Sequence, residues 1–224
     1  MYLPRTFLES TGLKRGLPAI FVHTPKCGGS FIAEGIGRRR ERHCFTRRHP
    51  LLKGHKMWTE YRDLFPRLGR DIHDYMTFSV VRNPWDWHVS FFHYIRQMTG
   101  RYREIFAEEH AELNRISFAE YLAWIDDPDR PKPGWLDEAT RNVCEWVVDE
   151  AGEIAVDVMM RQENLEADFQ DFIDAYGLRL QVPKARVNTS VHKDFRTYYS
   201  DPEVEIVARR HVHDVALFGY SFDA

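Results

Sequence analysis

The chain has 224 residues, with 31 Lys plus Arg against 34 Asp plus Glu and a formal net charge of −3. That balance excludes a grossly basic nucleic-acid coat or an acidic solvating tail as its main business. With 43% hydrophobic, 14% aromatic and 29% charged residues the composition is globular, and the length fits a single domain over 1–224 or one domain carrying an insertion.

In chain order, Leu17 to His23 reads as a β-rich strand broken by Thr24-Pro25-Lys26-Cys27-Gly28-Gly29-Ser30, with a helix from about Phe31. The stretch Arg38 to Arg48 is strongly basic, Leu51 to His55 reads as a short strand ending in a turn, and Trp58 to Phe65 as a helix stopped by Pro66. Tyr75 to Val81 is a run of buried-strand length. Asn83 and Pro84 then cap and open a helix that turns Trp85, Val89, Phe92 and Ile95 inward. A helix is predicted over Tyr102 to Leu113, and a Ser117/Glu120 capping box opens another over Phe118 to Ile125.

Asp126 to Gly134 is a polar, proline-rich loop. Val143–Val148 and Ile154–Met160 read as a hairpin around Asp149 to Gly152. Asn164 caps a helix over Leu165 to Tyr176 that Gly177 ends, and Asp201-Pro202-Glu203 opens a C-terminal helix. Strands alternating with helices predict an α/β fold with a largely parallel sheet, whose ligands bind at the carboxyl ends of the strands.

Cys27, Cys44 and Cys144 are odd in number and lack CxxC spacing, which predicts neither a disulfide framework nor a zinc site and fits a reducing compartment. No signal-like apolar region and no run of about 20 apolar residues is present, so a cytoplasmic protein without a membrane span is expected.

Two junctions carry the chemistry. In Pro25 to Ser30, adjacent glycines let successive N–H groups face one point, Lys26 adds a charge and the following helix adds its dipole, which is how a phosphate-like dianion is held. This is not the Walker pattern, because Lys26 precedes the glycines, and an ordinary Gly-Gly turn would read the same way. At the second junction Arg82 ends a strand and Ser90 lies two turns into the next helix. Both can converge on one phosphate, or Arg82 can pair with Asp86 while Ser90 merely packs. A phosphatase loop of the form CxxxxxR is excluded, since Ala33 occupies the arginine position after Cys27.

These residues resemble the sulfotransferases that use 3′-phosphoadenosine 5′-phosphosulfate (PAPS), above all the carbohydrate-type branch. Phe21 to Ser30 is similar to that family's PK-T-GG-T/S fingerprint, with Cys27 where threonine is commoner, and Val80-Val81-Arg82-Asn83-Pro84-Trp85-Asp86 with Ser90 resembles its VVRNP-Y-D-x-x-x-S motif. The resemblance implies a three-layer α/β fold with a mostly parallel sheet, helices on both faces and a phosphate-binding loop like that of P-loop NTPases. It implies that Lys26, Cys27, Gly28, Gly29 and Ser30 grip the 5′-phosphosulfate, that Arg82 and Ser90 bind the 3′-phosphate, and that His55, after Gly54, is the base, with Glu34 as a substitute. Arg161 to Phe169 is similar to the family's R-x-E-N-L-x-x-D-F segment and reads as structural. Asn188-Thr189-Ser190 and Phe195 to Tyr199 resemble its closing block, which makes Asn188 and Ser190 further donor contacts.

The function so implied is metal-free transfer of a sulfuryl group to an acceptor hydroxyl, giving 3′-phosphoadenosine 5′-phosphate (PAP). The acceptor is a glycan, such as an acidic one that the arginine-rich stretch would greet, or a small alcohol; no nucleic-acid partner is expected. A P-loop-type nucleotide kinase and a non-catalytic anion-binding module on the same fold are the alternatives. Trp58, Trp85, Trp87, Trp124 and Trp135 stack on an acceptor or belong to the core.

Overall fold

Three short strands build the sheet in the computed structural model, which describes residues 18–36, 52, 54–178, 180–184 and 192–223. They are β1 (Ala19–Phe21), β2 (Met76–Val81) and β3 (Val158–Arg161). The helices in chain order are α1 (Gly29–Ile36), α2 (Trp58–Leu64), α3 (Pro84–Arg96), α4 (Gly100–Ile105), α5 (Ala107–Leu113), α6 (Phe118–Asp126), α7 (Leu165–Tyr176), α8 (Asp201–Arg210) and α9 (Val212–Phe218). The described residues fall into two compact units, one within Met1–Arg82 and Cys144–Asn188, the other within Asn83–Val143 and Thr189–Ala224.

The first unit holds the sheet, in the order β1-β2-β3 with both pairings parallel. Every residue of β2 is buried, as befits a central parallel strand, and its two hydroxyl residues, Thr77 and Ser79, find hydrogen-bond partners there. The register runs Ala19↔Met76 to Phe21↔Phe78 on one side and Phe78↔Val158 to Val81↔Arg161 on the other. Phe78 stacks on Phe21 at 5.2 Å and meets Phe172 of α7 at 4.7 Å, while Phe31 of α1 meets Phe169 at 6.0 Å. Burial of each such ring contributes about 2–3 kcal/mol. The α/β expectation therefore holds: a three-stranded parallel sheet with helices around it.

The hairpin expected over 143–160 is corrected. Val143–Trp146 is a 3₁₀ turn, and of the hairpin a single antiparallel bridge, Val148↔Ile154, forms around the Gly152 turn. Val158–Arg161 instead joins β2 in parallel, because that edge buries Val158 and Met160 and lets the Asp157 carboxylate accept from both Thr77 N–H (2.7 Å) and its hydroxyl (2.9 Å). The strand expected over Leu51 to His55 is not seen at the described positions. Leu52 is a buried 3₁₀ residue and Gly54, at φ +97°, forms a bend with His55, while Leu51 and Lys53 lie outside the described residues.

In the second unit, Asn83 accepts from Trp85 N–H at 3.1 Å and opens α3 as expected. The helix expected over Tyr102 to Leu113 is split at Phe106 (φ −112°, ψ 40°), whose ring packs on Trp135 at 5.3 Å. The last cap is Ser200 rather than Asp201, its N–H donating to the Glu203 carboxylate at 2.8 Å. Trp58, Trp85, Trp87 and Trp124 are buried and Trp135 is half-buried, so the core reading of the tryptophans holds for all but the last. Among the described residues no helix is long and apolar enough to cross a membrane. The basic stretch from Arg38 to Arg48 and Cys44 lie outside them.

This unit's core contains a buried polar chain. Asp214 accepts from Val143 N–H (2.8 Å) and contacts His211 Nδ1 (2.7 Å), His211 Nε2 meets His88 Nε2 (2.9 Å), and His88 Nδ1 meets the Tyr121 hydroxyl (3.0 Å). With both rings neutral, one arrangement satisfies every link: Tyr121 donates to His88, His88 to His211 and His211 to Asp214. Burial, with His211 and Arg210 nearby, pushes His88 well below its usual range, and burial raises the Tyr121 phenol. An imidazole depressed in the folded state stays neutral while its unfolded counterpart protonates. Stability is thus full above about pH 6.5 and falls as pH drops below it, by up to about 1.4 kcal/mol per pH unit for one proton. Urea denaturation across pH 4.5–7.5 should show that slope, and His88→Gln should flatten it.

Candidate active site

Between β1 and α1 the backbone takes two left-handed steps, at Lys26 (φ +59°) and Gly28 (φ +75°). For Gly28 this conformation is free of penalty, whereas for Lys26 it is strained and must be held by its surroundings. Cys27 N–H donates to the Thr24 carbonyl at 3.4 Å across the turn, and three bonds from β2 and its end brace the loop. Ser79 Oγ donates to the Val22 carbonyl at 2.7 Å, the Ser79 and Thr24 hydroxyls meet at 3.0 Å, and Arg82 Nη1 donates to the Lys26 carbonyl at 2.9 Å. The central strand thus braces the loop that leaves its neighbour: Ser79 lies in β2, and Arg82 follows its last residue.

Gly28 is required by φ and by crowding, Gly29 by crowding alone. A Cβ on Gly28 would lie 2.4 Å from Gln162 Oε1 and 2.4 Å from a Leu165 methyl, and one on Gly29 would lie 1.7 Å from His23 Nε2. The loop backbone is therefore pressed between the start of α7 and the His23 imidazole. Its N–H groups lead into α1, where Ile32 N–H already bonds the Gly28 carbonyl at 3.1 Å. Alternating left-handed residues before a helix N-terminus make an anion-binding concavity.

The charges agree. Arg82 is 8% exposed. Burial first and the Arg82 guanidinium second lower the Lys26 ammonium to about 7, with Cys27 opposing. Two cations held this close with little solvent form a site whose own repulsion is relieved by an anion.

Of the residues expected to act here, Lys26, Cys27, Gly28, Gly29 and Ser30 form the loop and first helical turn, with Cys27 fully buried and Ser30 exposed. Arg82 joins them directly. His55 arrives through His23: the two imidazoles meet edge to face at 4.4 Å, and it is His23 that covers Gly29. Glu34 is exposed on α1. Ser90, in the second turn of α3 and 2% exposed, belongs to the other unit, and Asn188 and Ser190 lie outside the described residues.

The sequence profile of the sulfotransferase family matches residues 17–221. The chain belongs to the sulfotransferase family. A search of curated proteins gave no match. The matched span takes in both junctions of this sulfotransferase and runs past the end of α9.

Sequence reasoning missed His23 and Gln162. The first was legible only as a residue beside the loop motif, and the second occupied the unspecified position of a segment read as structural. Their relation to Gly28 and Gly29 arises from packing. Lysine side-chain NMR, following the ε-methylene resonances through pH 5–11, should show one lysine titrating near pH 7, and that transition should be absent in Lys26→Met. A profile in which every lysine titrates near 10.5 would contradict the enclosed environment of Lys26.

Proposed function

We propose that this sulfotransferase moves a sulfuryl group from PAPS to an acceptor hydroxyl without a metal, residues 1–224 acting as one catalytic domain. What supports the reading most is the strained loop of Lys26 to Gly29, tied by Arg82 to the end of β2, with the Lys26 ammonium crowded by the Arg82 guanidinium. In this reading Lys26 and the N–H groups of Cys27 to Ser30 hold the 5′-phosphosulfate. Arg82, with Ser90, Asn188 and Ser190, holds the 3′-phosphate, and His55 is the base. A reducing, cytoplasmic setting is part of the proposal, resting on the odd number and wide spacing of the cysteines.

The reaction is an in-line displacement. The acceptor oxygen forms a bond to sulfur as the bond from sulfur to the bridging phosphate oxygen breaks, the electron pair leaves with PAP, and His55 takes the acceptor proton. As in phosphoryl transfer, positioning and charge stabilisation supply most of the rate. Lys26, charged once an anion lies beside it, stabilises the leaving oxygen. The acceptor is a glycan, an acidic one included, or a small alcohol.

Calorimetric titration with PAP, with ATP in parallel and no metal, tests the donor site. Tight binding of PAP over ATP is expected, whereas preference for ATP with Mg²⁺ would favour the kinase reading and binding without turnover over a broad acceptor panel the non-catalytic one. His55→Ala should lower kcat about 10²- to 10⁴-fold at unchanged PAP affinity, and Arg82→Ala should weaken PAP at least about tenfold. Equal PAP affinity in Arg82→Ala and the parent would remove Arg82 from the donor site, and full turnover in His55→Ala would do the same for the base.

The lowered Lys26 adds a pH dependence. Above about pH 7 the ligand-free ammonium is largely deprotonated, so binding the bisphosphate requires proton uptake, and affinity should fall by up to about tenfold per pH unit from pH 7.5 to 9. Titration in buffers of different ionisation enthalpy should register close to one proton taken up at pH 8.5, and none in Lys26→Met.

A further inference from the structure

Gln162 is the first residue beyond β3, one step past the last register pair, Val81↔Arg161, just as Arg82 is one step past it on β2. The carboxyl edge of the sheet therefore sets Arg82 and Gln162 side by side in sequence register, with the loop from β1 folded over them. That loop reaches Gln162: the side-chain carbonyl lies against Gly28 so closely that a Cβ there would stand 2.4 Å from Oε1 and 3.5 Å from Cδ. Oε1 is buried and, among the described residues, has no hydrogen-bond partner.

A buried amide oxygen without a partner is destabilising, and a leucine or methionine of similar length would fill the same space without that penalty. Packing alone does not explain it, but it falls at the position where the left-handed loop offers its N–H groups to an anion. A primary amide can turn about its last bond and present Nε2, with two donors, in place of Oε1. It is a neutral donor, so it adds a hydrogen bond beside Lys26 and Arg82 without adding a third crowded positive charge.

We infer that Gln162 is a donor-binding residue of this enzyme, its side-chain amide donating to a phosphate or sulfuryl oxygen held at Gly28 on the 5′ side of the nucleotide. The inference rests on the donor reading above. It also gives the R-x-E-N-L segment a second role. Besides starting α7, where Asp168 accepts from Arg161 N–H at 2.8 Å, the segment carries a ligand contact at its unspecified position.

The test pairs two ligands with two substitutions. Titrations use the full chain with PAP and with adenosine 3′-monophosphate, which lacks the 5′ phosphate. Gln162→Glu keeps the length but replaces the donor with a repelling carboxylate; Gln162→Met keeps the packing and removes the donor. PAP affinity should fall at least about tenfold in Gln162→Glu and about three- to tenfold in Gln162→Met, while adenosine 3′-monophosphate binds both variants within about twofold of the parent. Unchanged PAP affinity in Gln162→Glu would overturn the inference, as would an equal loss for both ligands, which would mark a general disturbance of the fold. Failure of the parent itself to bind PAP would instead bring down the donor reading and the inference with it. Gln162→Met covers the case in which the carboxylate variant does not fold.

Discussion

The hydrogen bond from Arg82 to the Lys26 carbonyl is the constraint on which the site depends. Lys26 sits in a conformation that L-residues rarely adopt; a Thr24–Cys27 turn, with Cys27 N–H donating to the Thr24 carbonyl at 3.4 Å, favours it locally, and a further brace is supplied from outside the hexapeptide. It comes from β2, through Ser79 beneath the loop and Arg82 at its edge. A parallel pair of strands can do this because their carboxyl ends lie at the same edge of the sheet, so the residue leaving one strand meets the loop leaving its neighbour.

The same arrangement couples structure to electrostatics. By bonding the Lys26 carbonyl, Arg82 is brought near the Lys26 ammonium, in surroundings from which water is largely removed. Burial first, and the closeness of Arg82 second, leave a lysine whose charge is only marginally held at neutral pH. In the proposed donor site, an anion placed between the two cations would restore that charge and relieve their repulsion. His23 and Gln162, pressing on Gly29 and Gly28, prevent the loop from relaxing away from this geometry.

The second unit solves a different problem with similar means. Its core encloses Asp214, His211, His88 and Tyr121, and each buried polar atom of the chain finds the next. Such a network specifies one arrangement of α3, α6 and α9 more strictly than apolar packing would, because a shift of any member leaves the others unsatisfied. The cost is sensitivity to acid, since His88 has no room for a charge.

Much of this was legible in the sequence. The apolar run of β2, the capped start of α3, the capping box of α6 and the glycine ending α7 are local features, fixed by burial pattern and by hydrogen bonds within a few residues, and they stand where the pattern put them. The turn from β1 into α1 was legible too, because two glycines after a strand and before a helix leave few backbone alternatives. Pairing partners were not. Val158 to Arg161 has the composition of a hairpin arm, and only the competition between Ile154's side and the buried edge of β2 sent it to the sheet. Nor was the break at Phe106, where a helical sequence yields to the pull of Trp135. The sequence by itself determined the central strand, the capped helix starts and the glycine-rich turn between β1 and α1, since these depend on neighbours in the chain. Tertiary structure alone decided that Arg82 locks that loop, that His23 stands between it and His55, and that Gln162 turns an unsatisfied amide toward it, because each contact joins residues that only sheet register and packing bring together.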